Sequence, residues 1–137
     1  MGPDGERQSA RILLIEDDAD IAEMYRWRLQ KDGYQVEWSE DGLKGLAAAF
    51  ETLPDLVFLD IRLPQLDGIE VLRRLRAERR TRRIPVVVIT NYDDPRIKYE
   101  ARELGAMEYL IKSRVTPTAI ATAVTKWLKR TGADGAA

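Results

Sequence analysis

Val57-Phe58-Leu59-Asp60-Ile61-Arg62-Leu63-Pro64 is an apolar run that delivers a single carboxylate, Asp60, near its middle. Placed after Pro54-Asp55, its first half reads as a strand buried on both faces of a parallel sheet. Such sheets set their sites in the crevice outside the carboxyl ends of the strands, which makes Asp60 a candidate site residue. By itself the signal is ambiguous, because Asp is also a common turn or cap residue.

A second apolar strand, Ile12-Leu13-Leu14-Ile15, runs into Glu16-Asp17-Asp18. If the two strands are parallel neighbours, Glu16, Asp17 and Asp60 converge at one edge of the sheet. Carboxylates that close repel one another and raise some of their pKa values unless a cation neutralises them. Hard oxygen donors suit Mg²⁺, which takes one or two carboxylates and keeps other positions for water and phosphate oxygens. Downstream, Pro85-Val86-Val87-Val88-Ile89 leads to Thr90, whose hydroxyl can donate to a phosphate oxygen. Met107-Glu108-Tyr109-Leu110-Ile111 leads to Lys112, a compact cation suited to balancing an anion. Any one of these has an ordinary reading as a cap or a solvated charge, but together the strand ends carry mutually compatible groups.

The chain has 137 residues, enough for one domain with a substantial core, and is 45% hydrophobic and 33% charged. A net charge of −1 gives no overall pull toward nucleic acid or membranes. There is no cysteine, which excludes disulfides and thiolate metal sites, and no histidine, which excludes imidazole acid–base catalysis and ordinary zinc chemistry. No apolar run approaches a membrane span, and the polar start lacks a signal-peptide core.

Turn and cap residues divide the chain into five strand–helix units. Ile21, Met24, Tyr25 and Leu29 recur at helical spacing ahead of Gly33, a stop signal. Tyr34 to Trp38 reads as a short second strand, and Leu43, Leu46, Ala47 and Phe50 mark the second helix. Asp67-Gly68-Ile69-Glu70 reads as a capping box before Ile69, Leu72 and Leu75. Asp94-Pro95 opens a fourth helix carrying Ile97, Ala101 and Leu104 and ending at Gly105. Thr116-Pro117 opens a fifth, with Ile120, Val124, Trp127 and Leu128 toward the sheet. This alternation predicts an α/β domain in three layers, a doubly wound parallel sheet of five strands with five helices. The expected boundaries are a leader over 1–10, the domain over 11–130 and a tail over 131–137. The basic run Arg73-Arg74…Arg76…Arg79-Arg80…Arg82-Arg83 is read as the solvated face and end of the third helix, not as a nucleic-acid surface. Trp27, Trp38 and Trp127 are assigned to packing or a partner surface.

Leu14-Ile15-Glu16-Asp17-Asp18, Leu59-Asp60-Ile61-Arg62-Leu63-Pro64 with Asp67-Gly68, Ile89-Thr90, and Gly105-Ala106…Tyr109-Leu110-Ile111-Lys112 together resemble the receiver domain of two-component response regulators. The resemblance covers Arg11 to Arg130 in order and spacing. It implies a flavodoxin-like fold with strand order 2-1-3-4-5 and a signalling phosphoacceptor, with self-phosphorylation and self-dephosphorylation chemistry in place of conventional enzyme activity. It further implies that Asp60 takes a phosphoryl group from a sensor histidine kinase, a histidine phosphotransfer protein or a small acyl phosphate. Asp17 and Asp60 would bind Mg²⁺ directly, Glu16 through a metal-bound water, and Arg62 through its main-chain carbonyl. Lys112 would pair with a phosphoryl oxygen and Thr90 donate to another, while Thr90 and Tyr109 take the switch positions. Arg62, Tyr92 and Asn91 fall where the family tunes access to, and hydrolysis of, the aspartyl phosphate. Either Arg62 lies across the phosphoryl group with Tyr92 on its opposite side, or both side chains point to solvent.

The surface of the fourth helix, fifth strand and fifth helix, including Tyr99, Arg102 and Tyr109, is the expected contact for a downstream protein target, with homodimerisation left open. The location implied is cytoplasmic, with neither membrane nor direct nucleic-acid binding expected. Two departures stand out: Ser113 replaces the usual proline after Lys112, leaving the local backbone open, and Asn91 replaces a small residue. The sequence beyond the fifth helix is short, so a stand-alone regulator or an excised receiver is expected. A dehalogenase-like phosphatase would need a second Asp where Arg62 stands, and a nucleotide-binding module would need a phosphate cradle in place of Glu16-Asp17-Asp18. The remaining alternative is a phosphorylation-independent pseudo-receiver acting as an interaction module.

Overall fold

The computed structural model describes residues 10–130. Apart from Ala10, the expected leader and the expected tail lie outside the described residues. Five parallel strands, β1 (Arg11–Ile15), β2 (Gln35–Ser39), β3 (Leu56–Leu59), β4 (Val86–Thr90) and β5 (Glu108–Ile111), form one sheet in the order β2-β1-β3-β4-β5. The helices are α1 (Ala19–Lys31), α2 (Gly42–Thr52), α3 (Gly68–Ala77), α4 (Pro95–Glu103) and α5 (Pro117–Lys129), with a short 3₁₀ turn at Lys112–Arg114. The expected doubly wound fold and strand order are therefore present.

The sheet is buried on both sides, and its alternation divides the core into two layers. Ile12, Leu14, Leu56, Phe58, Val87 and Ile89 face Tyr25 and Leu29 of α1 and Ile120, Val124 and Trp127 of α5. Their neighbours Leu13, Ile15, Val57, Leu59, Val86 and Val88 face Leu46 of α2, Leu72 and Leu75 of α3 and Ala101 of α4. This explains why β1, β3 and β4 read as continuous apolar runs without alternation.

Chain register then sets the site. Ile15 pairs with Leu59, which brings Glu16 and Asp60, the next residues, side by side. Thr90 pairs with Ile111, so Lys112 leaves the sheet beside β4.

Helix ends follow the cap chemistry, with three corrections. Gly33 at φ 96° ends α1 by donating its N–H to the Gln30 carbonyl, while the Tyr34 N–H bonds to that of Leu29. This double closure holds Tyr34 in the helix stop, so β2 begins at Gln35, not at Tyr34 as the sequence suggests. At α3, Asp67 accepts from the Glu70 N–H at 3.0 Å, but the Glu70 carboxylate is engaged by Arg73 and Arg74, so the capping box is closed from one side. The third correction concerns helix faces. Met24, Leu43 and Ala47 are exposed instead of joining the core. In α2 the buried face is Gly42, Gly45, Leu46, Ala48 and Ala49. A Cβ on Gly45 would stand 2.6 Å from the Ile15 side chain, and one on Gly42 would stand 1.8 Å from the Leu66 carbonyl oxygen. The helix thus packs on its smallest residues and turns Leu43 outward.

The basic run is also not uniformly solvated. Arg76 is half-buried and donates to the carbonyls of Leu104 at 2.8 Å and Ile84 at 2.8 Å, tying α3 to the turn after α4 and to the approach to β4. Of the tryptophans, Trp127 is buried edge-on to Phe58, Trp27 is exposed, and Trp38 is half-buried beside the acidic loop. Among the described residues no helix is long and apolar enough to cross a membrane.

Candidate phosphoacceptor site

Four strand ends supply the site. Glu16 and Asp60, 2% and 5% exposed, lie at the ends of β1 and β3, and Asp17 is exposed above them. Carboxylate oxygens of all three lie within 4.8 Å of one another. The Lys112 ammonium reaches in from the end of β5, 2.6 Å from Glu16 Oε1 and 2.7 Å from Asp60 Oδ2. Ser113, in place of proline, lies in the 3₁₀ turn that Lys112 itself begins.

Backbone groups complete the arrangement. The Asp18 N–H donates to Glu16 Oε2 at 2.9 Å, and the Arg62 N–H approaches Asp60 Oδ1 at 3.3 Å. Asp18, the third acid of the run, accepts from the N–H groups of Asp20 and Ile21 as the N-cap of α1. That leaves Glu16 and Asp17 to face Asp60.

Sequence reading missed Trp38. Its indole Nε1 donates to the Glu16 carbonyl at 2.6 Å, while the Glu16 N–H donates to the Ser39 carbonyl at 3.0 Å. Nothing in the residue pattern announces this contact, because it exists only once Leu14 and Trp38 are paired across β1 and β2.

The electrostatics show a shortage of positive charge. Burial pushes the Glu16 carboxyl up to about 6, against the lowering effects of its Lys112 and Asp18 hydrogen bonds, and the charge of Asp60 pushes in the same direction as burial. Burial works against the Lys112 charge, yet its hydrogen bonds to Asp60 and Glu16 and their charges outweigh this, so its pKa is raised. Three carboxylates against one ammonium leave room for another cation. The donor set, hard oxygens from three carboxylates, fits a divalent ion such as Mg²⁺.

Asp17, Asp60, Arg62, Thr90, Asn91, Tyr92 and Lys112 line a cavity of about 380 Å³ above Asp60. The residues singled out from sequence around this edge are therefore brought together, with Glu16 beneath them. Thr90 is buried, and its Oγ1 accepts from the Tyr92 N–H at 3.2 Å, which leaves the hydroxyl proton available. Tyr109 does not join Tyr99 and Arg102 on an exposed face: it is 7% exposed, and its hydroxyl donates to the Tyr92 carbonyl at 2.5 Å. Burial, then Asp93 and Asp94, raises its pKa to about 12, so this hydroxyl stays a donor at neutral pH. Tyr99 is 67% exposed and Arg102 is exposed. Arg62 and Tyr92 are not held on opposite sides of the pocket. The Arg62 guanidinium carbon lies 3.8 Å over the Tyr92 ring, so the two are stacked.

Comparison with known proteins agrees with this geometry. Residues 12–125 match the response regulator receiver domain, and the chain belongs to that family. It is thus a signalling domain of two-component systems and not a classical enzyme. A protein of Synechocystis described as the DNA-binding dual master transcriptional regulator RpaA is 41% identical over 102 residues, covering 74% of this chain and 42% of that protein. Protein PilH of Pseudomonas aeruginosa is 38% identical over 105 residues, covering 75% of this chain and 85% of PilH. The crystal structure of a CheY-like receiver domain protein from Methanospirillum hungatei superposes with a TM-score of 0.85 at 26% identity, covering 93% of this chain and 99% of that one. The chain spans less than half the length of RpaA and most of that of PilH.

Proposed function

We propose that residues 11–130 act as a phosphoacceptor, with Asp60 as the nucleophile toward a phosphohistidine of a histidine kinase or phosphotransfer protein, or toward a small acyl phosphate. The observation that carries this is the Lys112 ammonium held between Glu16 and Asp60 at the floor of a cavity that Thr90 also lines. An Asp60 oxygen attacks phosphorus; with a phosphohistidine the P–N bond breaks and the electron pair leaves on the imidazole nitrogen, which takes a proton from solvent, and with an acyl phosphate the P–O bond breaks and a carboxylate leaves. The attacking group is a carboxylate oxygen, so the step needs no general base.

Glu16, Asp17, Asp60 and the Arg62 carbonyl would hold Mg²⁺, which when bound offsets charge on the phosphoryl oxygens. Lys112 moves from a carboxylate pair to a phosphoryl oxygen, and Thr90 donates its free hydroxyl proton to another. Output follows if Thr90 bonds preferentially in the phosphorylated state, since only a differential contact shifts a two-state equilibrium. The β4–α4 loop would transmit that change, a reading supported by Tyr92, which joins Thr90 through its N–H and Tyr109 through its carbonyl. The exposed face carrying Tyr99 and Arg102 would then meet a downstream protein in the cytoplasm.

Incubation with acetyl phosphate and Mg²⁺, followed by intact mass, tests this reading. One added phosphoryl group is expected in the wild type, with none in Asp60→Asn or with EDTA. A wild-type protein that stays unlabelled would instead be a pseudo-receiver.

A further inference from the structure

The amino end of the sheet, opposite Asp60, has a cavity of about 470 Å³ bordered by Arg76, Arg82, Arg83 and Arg130, with Pro85 and Met107 as apolar lining. We propose that this cavity is a second ligand site, for a small anion carrying adjacent phosphates.

The first support is an uncompensated cation. Arg76 is fixed by carbonyl oxygens alone, those of Leu104, Ile84 and, at 3.4 Å, Gly105. Burial lowers its pKa, and no carboxylate counters that effect. A half-buried guanidinium normally has an anionic partner, since its desolvation is otherwise unrepaid. Among the described residues Arg76 has none, only carbonyl partners.

The second support is the company Arg76 keeps. Arg82 and Arg83 are exposed, and neither has a side-chain partner among the described residues. Among the described residues Arg130 pairs with Glu108 alone, at 3.4 Å. Guanidinium forks bind phosphate oxygens in pairs, so several forks around one cavity match consecutive phosphates better than a single one. Pro85 and Met107 add an apolar surface against which a nucleoside could lie, whereas inorganic polyphosphate would use the arginines alone. Both ligands share the chemistry, and the experiment separates them.

Titration calorimetry of the full chain with tripolyphosphate, in EDTA and low salt, tests the site. Without a divalent ion the acidic pocket repels the same probe, so a signal reports the arginine end. One equivalent is expected to bind, inorganic monophosphate more weakly, and Arg82→Gln/Arg83→Gln about tenfold or more weaker for the loss of two charge-assisted contacts. Tighter binding of ATP than of tripolyphosphate assigns a nucleotide, and equal binding assigns polyphosphate. The proposal is overturned if tripolyphosphate does not bind at millimolar concentration, if the double variant binds as wild type does, or if only duplex DNA binds. Labelling of Asp60 by acetyl phosphate in the double variant should match wild type, which keeps this test separate from that of the phosphoacceptor.

Discussion

Glu16 is held from every side: its N–H by Ser39, its carbonyl by the Trp38 indole, and its two carboxylate oxygens by the Asp18 N–H and Lys112. The indole bond is the one that an aromatic replacement removes cleanly. Trp38→Phe keeps the ring and loses the donor, which should cost about 1 kcal/mol, or roughly fivefold in Mg²⁺ dissociation constant, with a smaller effect on overall stability. A metal titration followed by NMR of the Asp17 and Asp60 amides gives the ratio, and equal affinities would show that Trp38 merely packs. The Glu16 carboxyl, raised from 4.5 to about 6 by burial, also makes a signed statement about pH. With its folded pKa raised, its contribution to stability is present below pH 4.5 and is lost as pH climbs through about 6. In metal-free protein the thermal midpoint of wild type should therefore fall across that window relative to Glu16→Gln, and Mg²⁺ should flatten the difference. Parallel curves in EDTA would contradict a buried, destabilised carboxylate.

At the level of elements, glycines decide how closely helices approach the site, and in α2 they explain why Leu43 is turned outward. Apolar residues at helical spacing marked α2 through Leu43 and Ala47 and α1 through Met24, and both helices are present, yet these three residues are exposed. Hydrophobic pattern cannot register a glycine contact, because the signal is the absence of a side chain. Gly68 at the start of α3 shows the consequence for function. A Cβ there would stand 2.2 Å from the Asp60 carbonyl oxygen and 2.7 Å from the Ile61 Cα, backbone atoms that cannot swing aside. Gly68→Ala should destabilise the fold by about 1–3 kcal/mol, as overpacking does. It should also slow labelling of Asp60 in the fraction that remains folded. Denaturant unfolding and acetyl phosphate labelling measure the two effects, and unchanged stability would contradict the close approach of helix and strand. Thr90→Ala acts differently, because the residue sits in β4 without shaping the metal site. Labelling should persist, while amide shifts on adding beryllofluoride should shrink around Tyr92, Tyr109 and α4. Full-size shifts in the variant would remove Thr90 from the switch.

Across the whole molecule, what was legible in sequence was what depends on order along the chain. Four apolar runs ending in Glu16-Asp17, Asp60, Thr90 and Lys112 announced a parallel sheet and its active edge, because strand ends in such sheets converge. Relations created only by register or side-chain rotation, such as Trp38 on Glu16 or Tyr109 turned inward, left no pattern to read. The Arg62–Tyr92 stack belongs to that second kind, and it changes what is expected of signal lifetime. Both residues line the cavity above Asp60 and also a neighbouring cleft of about 570 Å³, so the stack stands between the two. A guanidinium over an aromatic face is worth about 0.5–1 kcal/mol at an exposed site, enough to hold both side chains near the path of an in-line water. If that stack slows hydrolysis, removing Arg62 and Tyr92 together by alanine substitution should speed loss of phosphate from Asp60 about tenfold, or about 1.4 kcal/mol of barrier. Two independent shields would contribute additively, whereas stacked partners act as a unit. Either single alanine variant should therefore recover most of the double variant's effect. Decay of the phosphorylated protein, followed by intact mass at saturating Mg²⁺, separates these cases, and a double variant that decays no faster than wild type would rule out shielding by the stack.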